Sequence, residues 1–242
     1  CDESNDCPSG HLCAGSICAK ENGQSCATAS ECLNTCVGNS CGDLVYVDVD
    51  ATAGLNDGTS WASAFLSLQD ALMSVTDDST TTPGSPLEIW VAEGTYYPTT
   101  SCPGGTCSTG TTDTTSFVLV SNVGIYGGFS GVESALDDRN VSANLTILSG
   151  DIDKNGVHNG SNSEHVVYAN AAGSSAILDG VTISGGYANT NNLTANGGGI
   201  YLATSAPILK NLIIKKNLAT GKGGGMYNDA SSPSISNTTF GD

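Results

Sequence analysis

Basic residues are scarce: 7 of the 242 are Lys or Arg, against 24 Asp and Glu. A chain this acidic lacks the clustered cations that phosphate binding needs, which excludes nucleic acid as a partner. The lone arginine, Arg139, is flanked by Asp137 and Asp138 and reads as a salt-bridged turn. Long apolar runs are missing too. No stretch reaches the ~18 residues expected of a membrane-spanning helix. No segment reads as a signal peptide, and Cys1 looks like the start of a processed or trimmed chain. The usual marks of chemistry are thin. His11, His158 and His165 are scattered, no serine sits in a nucleophile elbow, and no cysteines stand at the C-x2-C spacing of a zinc site.

What is present is repetition. Gly197-Gly198-Gly199-Ile200-Tyr201 returns as Gly223-Gly224-Gly225-Met226-Tyr227, always 26 positions on. Ser205-Ala206-Pro207 returns as Ser231-Ser232-Pro233, Asn211 as Asn237, and Ile214 as Phe240. A fixed period of this size marks a solenoid whose repeats cannot each bury an apolar face alone. The apolar runs, such as Ile200-Tyr201-Leu202 and Leu212-Ile213-Ile214, are too short and too broken by Gly, Pro and Asn for helices. The period therefore predicts coils of a parallel β-helix, with equivalent residues stacked at about one strand spacing, ~4.8 Å. Tyr201 should lie over Tyr227, and Asn211 over Asn237. The glycine triplets suit a corner that needs positive φ or close backbone approach. Roughly six coils are expected from residue 87 to the end.

Ten cysteines point to an oxidising compartment, hence a secreted or cell-surface location. Residues 1–42 hold eight of them in two quartets: Cys1, Cys7, Cys13, Cys18 and Cys26, Cys32, Cys36, Cys41. Both open C-x5-C and end C-x4-C, which marks a duplicated disulfide module. Pairing is expected within each quartet, because units this small cannot be held by apolar burial. Cys102 and Cys107 read as a local disulfide in the polar loop between Thr99 and Thr115. The remainder, 43–242, is the solenoid. Leu44–Val49 alternates as a strand. Trp61, Phe65, Leu68, Leu72 and Val75 fall at helical spacing after Ser60, which predicts a helix over 61–75 that lids the first coil.

Two stretches carry a family resemblance. One runs Tyr46-Val47-Asp48, Asn56-Asp57-Gly58-Thr59-Ser60-Trp61-Ala62, Leu68-Gln69-Asp70-Ala71-Leu72 and Ile89-Trp90-Val91-Ala92-Glu93-Gly94-Thr95-Tyr96. The other runs Ile125-Tyr126-Gly127-Gly128-Phe129-Ser130-Gly131-Val132-Glu133, then Arg139-Asn140, then Leu145 to Ile152. Together with the glycine-triplet repeats they resemble secreted bacterial right-handed parallel β-helix proteins of pectin-lyase-like fold, with polymorphic-outer-membrane-protein type repeats. The Cys7-Pro8-Ser9-Gly10 element resembles small cysteine-rich repeats at the N-termini of secreted bacterial proteins. The resemblance implies an all-β right-handed parallel β-helix with an N-terminal capping helix, preceded by the disulfide module. It implies little about function, because the fold hosts lyases, hydrolases, adhesins and structural proteins alike.

Candidate chemistry is sparse. Asp151-x-Asp153-x-Asn155-Gly156 has the oxygen spacing of a calcium loop, although Asn162 stands where a closing acid belongs. Calcium is the one cofactor the pattern raises, against a plain Asx-rich turn. β-Helix lyases use a Lys or Arg base beside calcium-binding carboxylates, and their hydrolase relatives use clustered Asp. Here Asp179 has Lys210 and Ser236 at its ladder positions, not a second acid. Sequons begin at Asn140, Asn144, Asn159, Asn192 and Asn237 and are candidate glycan acceptors. The reading is a non-enzymatic structural or adhesive protein whose uncapped last coil means either a fragment of a longer solenoid or head-to-tail association into a filament. The alternative is a β-helix that binds or cleaves polysaccharide.

Overall fold

The computed structural model describes residues 6–7, 11–12, 44–76, 87–98, 115–189 and 195–241. Within the cysteine module only a short antiparallel pair is described, β1 (Asp6–Cys7) with β2 (His11–Leu12). The expected disulfides, Cys102 and Cys107 included, and the sequon at Asn192 lie outside the described residues.

The remainder is a β-solenoid of parallel sheets. The first sheet stacks β3 (Leu44–Val47), β4 (Leu87–Ala92), β7 (Val123–Phe129), β10 (Ile177–Asp179), β14 (Ile208–Lys210) and β18 (Ser234–Ser236). The second stacks β5 (Gly94–Tyr96), β8 (Thr146–Ser149), β11 (Val181–Ser184), β15 (Ile213–Ile214) and β19 (Thr239–Phe240). The third stacks β6 (Phe117–Leu119), β9 (Val167–Asn170), β13 (Ile200–Ala203) and β17 (Met226–Asp229). A fourth, minor pair joins β12 (Tyr187–Ala188) to β16 (Leu218–Ala219). From β4 onward the chain visits the three main sheets in turn.

The sequence period holds in the last turns. Ile208 pairs with Ser234, and Tyr201 with Tyr227. Earlier, the offset grows: Ile177 pairs back to Gly124, because loops swell the intervening coil. The expected six coils after residue 87 are therefore four complete turns and the first two strands of a fifth. A 26-residue yardstick overcounts where loops take up chain. The first sheet does reach six levels, with β3 as the outermost.

Alternation sets the core, since every second residue of a strand faces inward. Val45, Ile89, Ile125, Leu178, Leu209 and Ile235 form one inward column in register. Tyr96, Leu148, Ile183, Ile214 and Phe240 form another. Both columns are buried until the last coil, where Ile235 is 43% and Phe240 52% exposed. The corner after the first sheet is left-handed: Gly180, Asn211 and Asn237 all have positive φ, and Asn tolerates this better than most residues. The triplet corner works as expected. Gly197 and Gly223 sit at φ +72° and +64°, and a side chain on Gly199 would meet the Gly225 carbonyl.

The predicted helix over 61–75 is split. Trp61–Ser63 is a single 3-10 turn whose Ser63 N–H is capped by Ser60 Oγ, and α1 spans Leu68–Thr76. The chain between them is drawn into sheet pairing. Phe65 bridges Val47, donating to the Tyr46 carbonyl at 2.9 Å and accepting from Asp48 N–H at 2.9 Å. Leu68, Ala71, Leu72 and Val75 still close the core as a lid. Trp61 instead joins Tyr46, Trp90 and Phe129 on the outside of the first sheet. There Trp90 and Phe129 stack at 4.7 Å, and Trp61 Nε1 donates to the Glu133 carbonyl at 2.8 Å.

Candidate functional site

Three places gather polar or aromatic side chains outside the core. The first is a buried node on the outer face of the first sheet, where Tyr126, Asp179, Lys210 and Ser236 stack in register. Arg139 reaches this node instead of pairing with Asp137 or Asp138, which corrects the expected salt-bridged turn. Its Nη2 meets Asp179 Oδ2 at 2.8 Å, with the two side chains 12% and 5% exposed. Its Nη1 donates to the Gly127 carbonyl at 3.0 Å, and the guanidinium lies 5.5 Å from the Tyr126 ring centre. Asp138 instead accepts from Ala135 N–H at the start of a 3-10 turn. The other oxygen of Asp179 accepts from Asn211 Nδ2 at 2.5 Å, and Asn211 Oδ1 accepts from Asn237 Nδ2 at 2.5 Å. Lys210 Nζ, half exposed, stands 3.9 Å away. Burial, then Glu88 and Asp179, push the Tyr126 phenol up. Both carboxylate oxygens are committed to structural partners, so Asp179 locks coils together.

The second place is the Asp151 loop. Asp151 Oδ1 accepts from Asn155 N–H at 3.2 Å and Oδ2 from Gly156 N–H at 2.8 Å. Asp153 Oδ2 accepts from the amides of Asn155 and Asn159, at 2.7 and 3.1 Å. Asn155 Oδ1 accepts from Val157 N–H at 2.7 Å. These four oxygens accept from the loop's own donors, the geometry of an Asx-rich turn. Among the described residues no three His, Cys, Asp or Glu side chains are grouped to hold a metal.

The third place is a tyrosine column on the outer face of the third sheet. Val118, Tyr168, Tyr201 and Tyr227 are in register. Ring centres are 6.0 Å apart between Tyr168 and Tyr201, and 5.6 Å between Tyr201 and Tyr227. His165 leans on Tyr201 at 4.8 Å. Its Nδ1 lies 3.0 Å from the Gly197 carbonyl, and burial lowers its pKa below the usual imidazole range. Tyr201 donates its hydroxyl to Asp229 at 3.3 Å; partial desolvation and that carboxylate push the phenol up. The three rings are partly exposed.

The sequence reading found Tyr201 over Tyr227 but missed Tyr168, which belongs to the same column. Its coil enters the sheet as His165-Val166-Val167, without a glycine triplet. The usable signal was the apolar-Tyr pair itself, Val167-Tyr168 against Ile200-Tyr201. Of the described sequons, Asn144, Asn159 and Asn237 spend Nδ2 on hydrogen bonds to Gly128, Asp153 and Asn211. Asn140 is exposed, and its Oδ1 accepts from Ser142 N–H and Oγ. No described helix is long and apolar enough to cross a membrane. The stacked parallel sheets bear out the solenoid part of the resemblance. Compared with known proteins, the chain matches no family model, no curated protein and no solved structure.

Proposed function

We propose that this chain is a structural and adhesive protein of the cell exterior, a right-handed parallel β-helix carried behind a disulfide module. The right-handed sense follows from the near-universal handedness of parallel crossovers, and the exterior location from the cysteine content. One observation supports a mechanical role above the others. The polar groups that the stack brings together, from Arg139 through Asp179 to Asn237, are spent on joining one coil to the next.

The last described coil presents an edge that either the next coil of a longer solenoid or a second copy would cover. It carries the half-exposed Ile235 and Phe240 at the ends of two buried columns. Covering both contributes about 1.5–3 kcal/mol, before any new strand hydrogen bonds. A further coil of the same pattern fits there. The opposite edge is already taken: the segment around Phe65 pairs with β3, and α1 lies over the core. A head-to-tail filament would have to displace that lid, which leaves the last described coil as the edge open to a further coil or a second copy.

Light scattering and electron microscopy on the purified chain test this reading. Association that Ile235→Asp with Phe240→Asp abolishes is expected. Monodisperse single particles at every concentration would overturn the joint. Incubation with pectin and alginate, with and without calcium, tests the enzymatic alternative. New unsaturated or reducing ends would overturn the non-enzymatic assignment.

A further inference from the structure

We propose that the tyrosine column of the third sheet is a docking strip for a neutral, extended polysaccharide lying along the solenoid axis. This names a partner for the adhesive reading above and rests on it. The column offers one phenol per coil over three successive coils, at Tyr168, Tyr201 and Tyr227. Their rings lean on one another with interplanar angles of 27° and 43°. Ring edges and hydroxyls therefore face outward, not one flat plate. Such a row suits a polymer of hydroxyl-bearing monomers whose length is close to a strand spacing, about 4.8 Å. Sugar C–H groups pack on the ring edges, and sugar hydroxyls exchange hydrogen bonds with the phenols.

The neighbouring outward column completes the surface. Asn170, Ala203 and Asp229 lie in register there, an amide and a carboxylate separated by a methyl group. The small Ala203 leaves a shallow place between two hydrogen-bonding groups. Neither column contains Lys or Arg. Among the described residues of these two columns a polyanion would find no counter-charge; it would meet Asp229 and approach a chain of formal net charge -17. The strip therefore selects uncharged chains over pectin or alginate.

Affinity electrophoresis of the whole chain, through gels holding xylan, mixed-linkage glucan, mannan, alginate or pectin, tests the proposal. Retardation by at least one neutral polymer and by neither acidic one is expected. Tyr201→Ser with Tyr227→Ser should weaken it about tenfold or more. Should that pair disturb the coil, Tyr201→Phe and Ala203→Gln alter only a hydroxyl and the width of the shallow place, and each should still weaken retardation. No retardation by any neutral polymer, stronger retardation by an acidic one, or variants that bind as the parent would overturn the strip. The Ile235→Asp, Phe240→Asp variant should bind undiminished. A parent chain that binds a neutral polymer but never associates would sink the end joint alone, and one that associates but binds no neutral polymer would sink the strip alone.

Discussion

Replacing Asp179 by Ala should be the most damaging single change on the outer face. Asp179 is 3% exposed and answers two donors, Arg139 at 2.8 Å and Asn211 at 2.5 Å. Without the carboxylate, a mostly buried guanidinium keeps only the backbone carbonyls of Gly127 and residue 179 and a ring, and the Asn211 amide loses its acceptor. Removing one partner of a buried pair costs about 3–5 kcal/mol. Lys210 offers no relief, because it has the same sign as Arg139 and its side chain is 52% exposed. We expect about 3–4 kcal/mol from urea unfolding followed by Trp fluorescence, since Trp90 sits one level from Tyr126. Asp179→Asn keeps an acceptor for Asn211 and should cost less, about 1.5–3 kcal/mol. The combined Arg139→Met, Asp179→Leu variant removes both charges and should be more stable than Asp179→Ala alone. A loss below about 1 kcal/mol for Asp179→Ala would refute the node as a coil-to-coil lock. So would a double variant that shows the plain sum of the two single losses.

Gly199→Ala should cost about 1–3 kcal/mol, because the new methyl meets the Gly225 carbonyl and Asn217 Nδ2, the latter at 2.9 Å; a melting temperature equal to the parent's would contradict the close approach. His165 has a folded-state pKa lowered by burial, so the unfolded chain binds its proton first as pH falls. Its contribution is whole above about pH 6.5 and erodes as pH drops toward the folded value. A His165→Gln variant should flatten thermal stability across that window, and an unchanged slope would speak against it. Glu133 acts lower in pH. Burial alone would raise its pKa, but hydrogen bonds from Ser130 N–H and Oγ and Val132 N–H outweigh burial and lower it. Its contribution is therefore present above the ordinary carboxylate range and lost as pH falls through the folded value, a step that Glu133→Gln should remove. Chelator should leave the melting temperature where it was, given that both oxygens of Asp151 already accept from backbone N–H groups. A rise on adding calcium would support the calcium reading of that loop instead.

The repeat made the solenoid legible because a ladder forces identical positions to carry similar residues. Tyr201 over Tyr227 and Asn211 beside Asn237 were both readable as a period. Coil number was not, since chain length spent in loops is invisible to a fixed yardstick. The lid was half legible. Helical spacing located Leu68, Leu72 and Val75 correctly, yet Phe65 obeys the same spacing while serving a strand bridge to Val47. Arg139 was misread because flanking acids are visible in a sequence and a carboxylate forty positions away is not. The outer node depends on a loop folding back onto a sheet, a contact with no periodic trace.

The row from Asn237 through Asn211 to Asp179 is also a chain of dipoles pinned at one end by a fixed charge. Each amide polarises the next, so the bond nearest Asp179 is the strongest and the outermost is the weakest. Opening along this row should therefore be hardest at Asp179, where the Arg139 ion pair acts as a stop. Amide exchange would then slow from the Asn237 coil to the Asp179 coil, grading the solenoid along its axis.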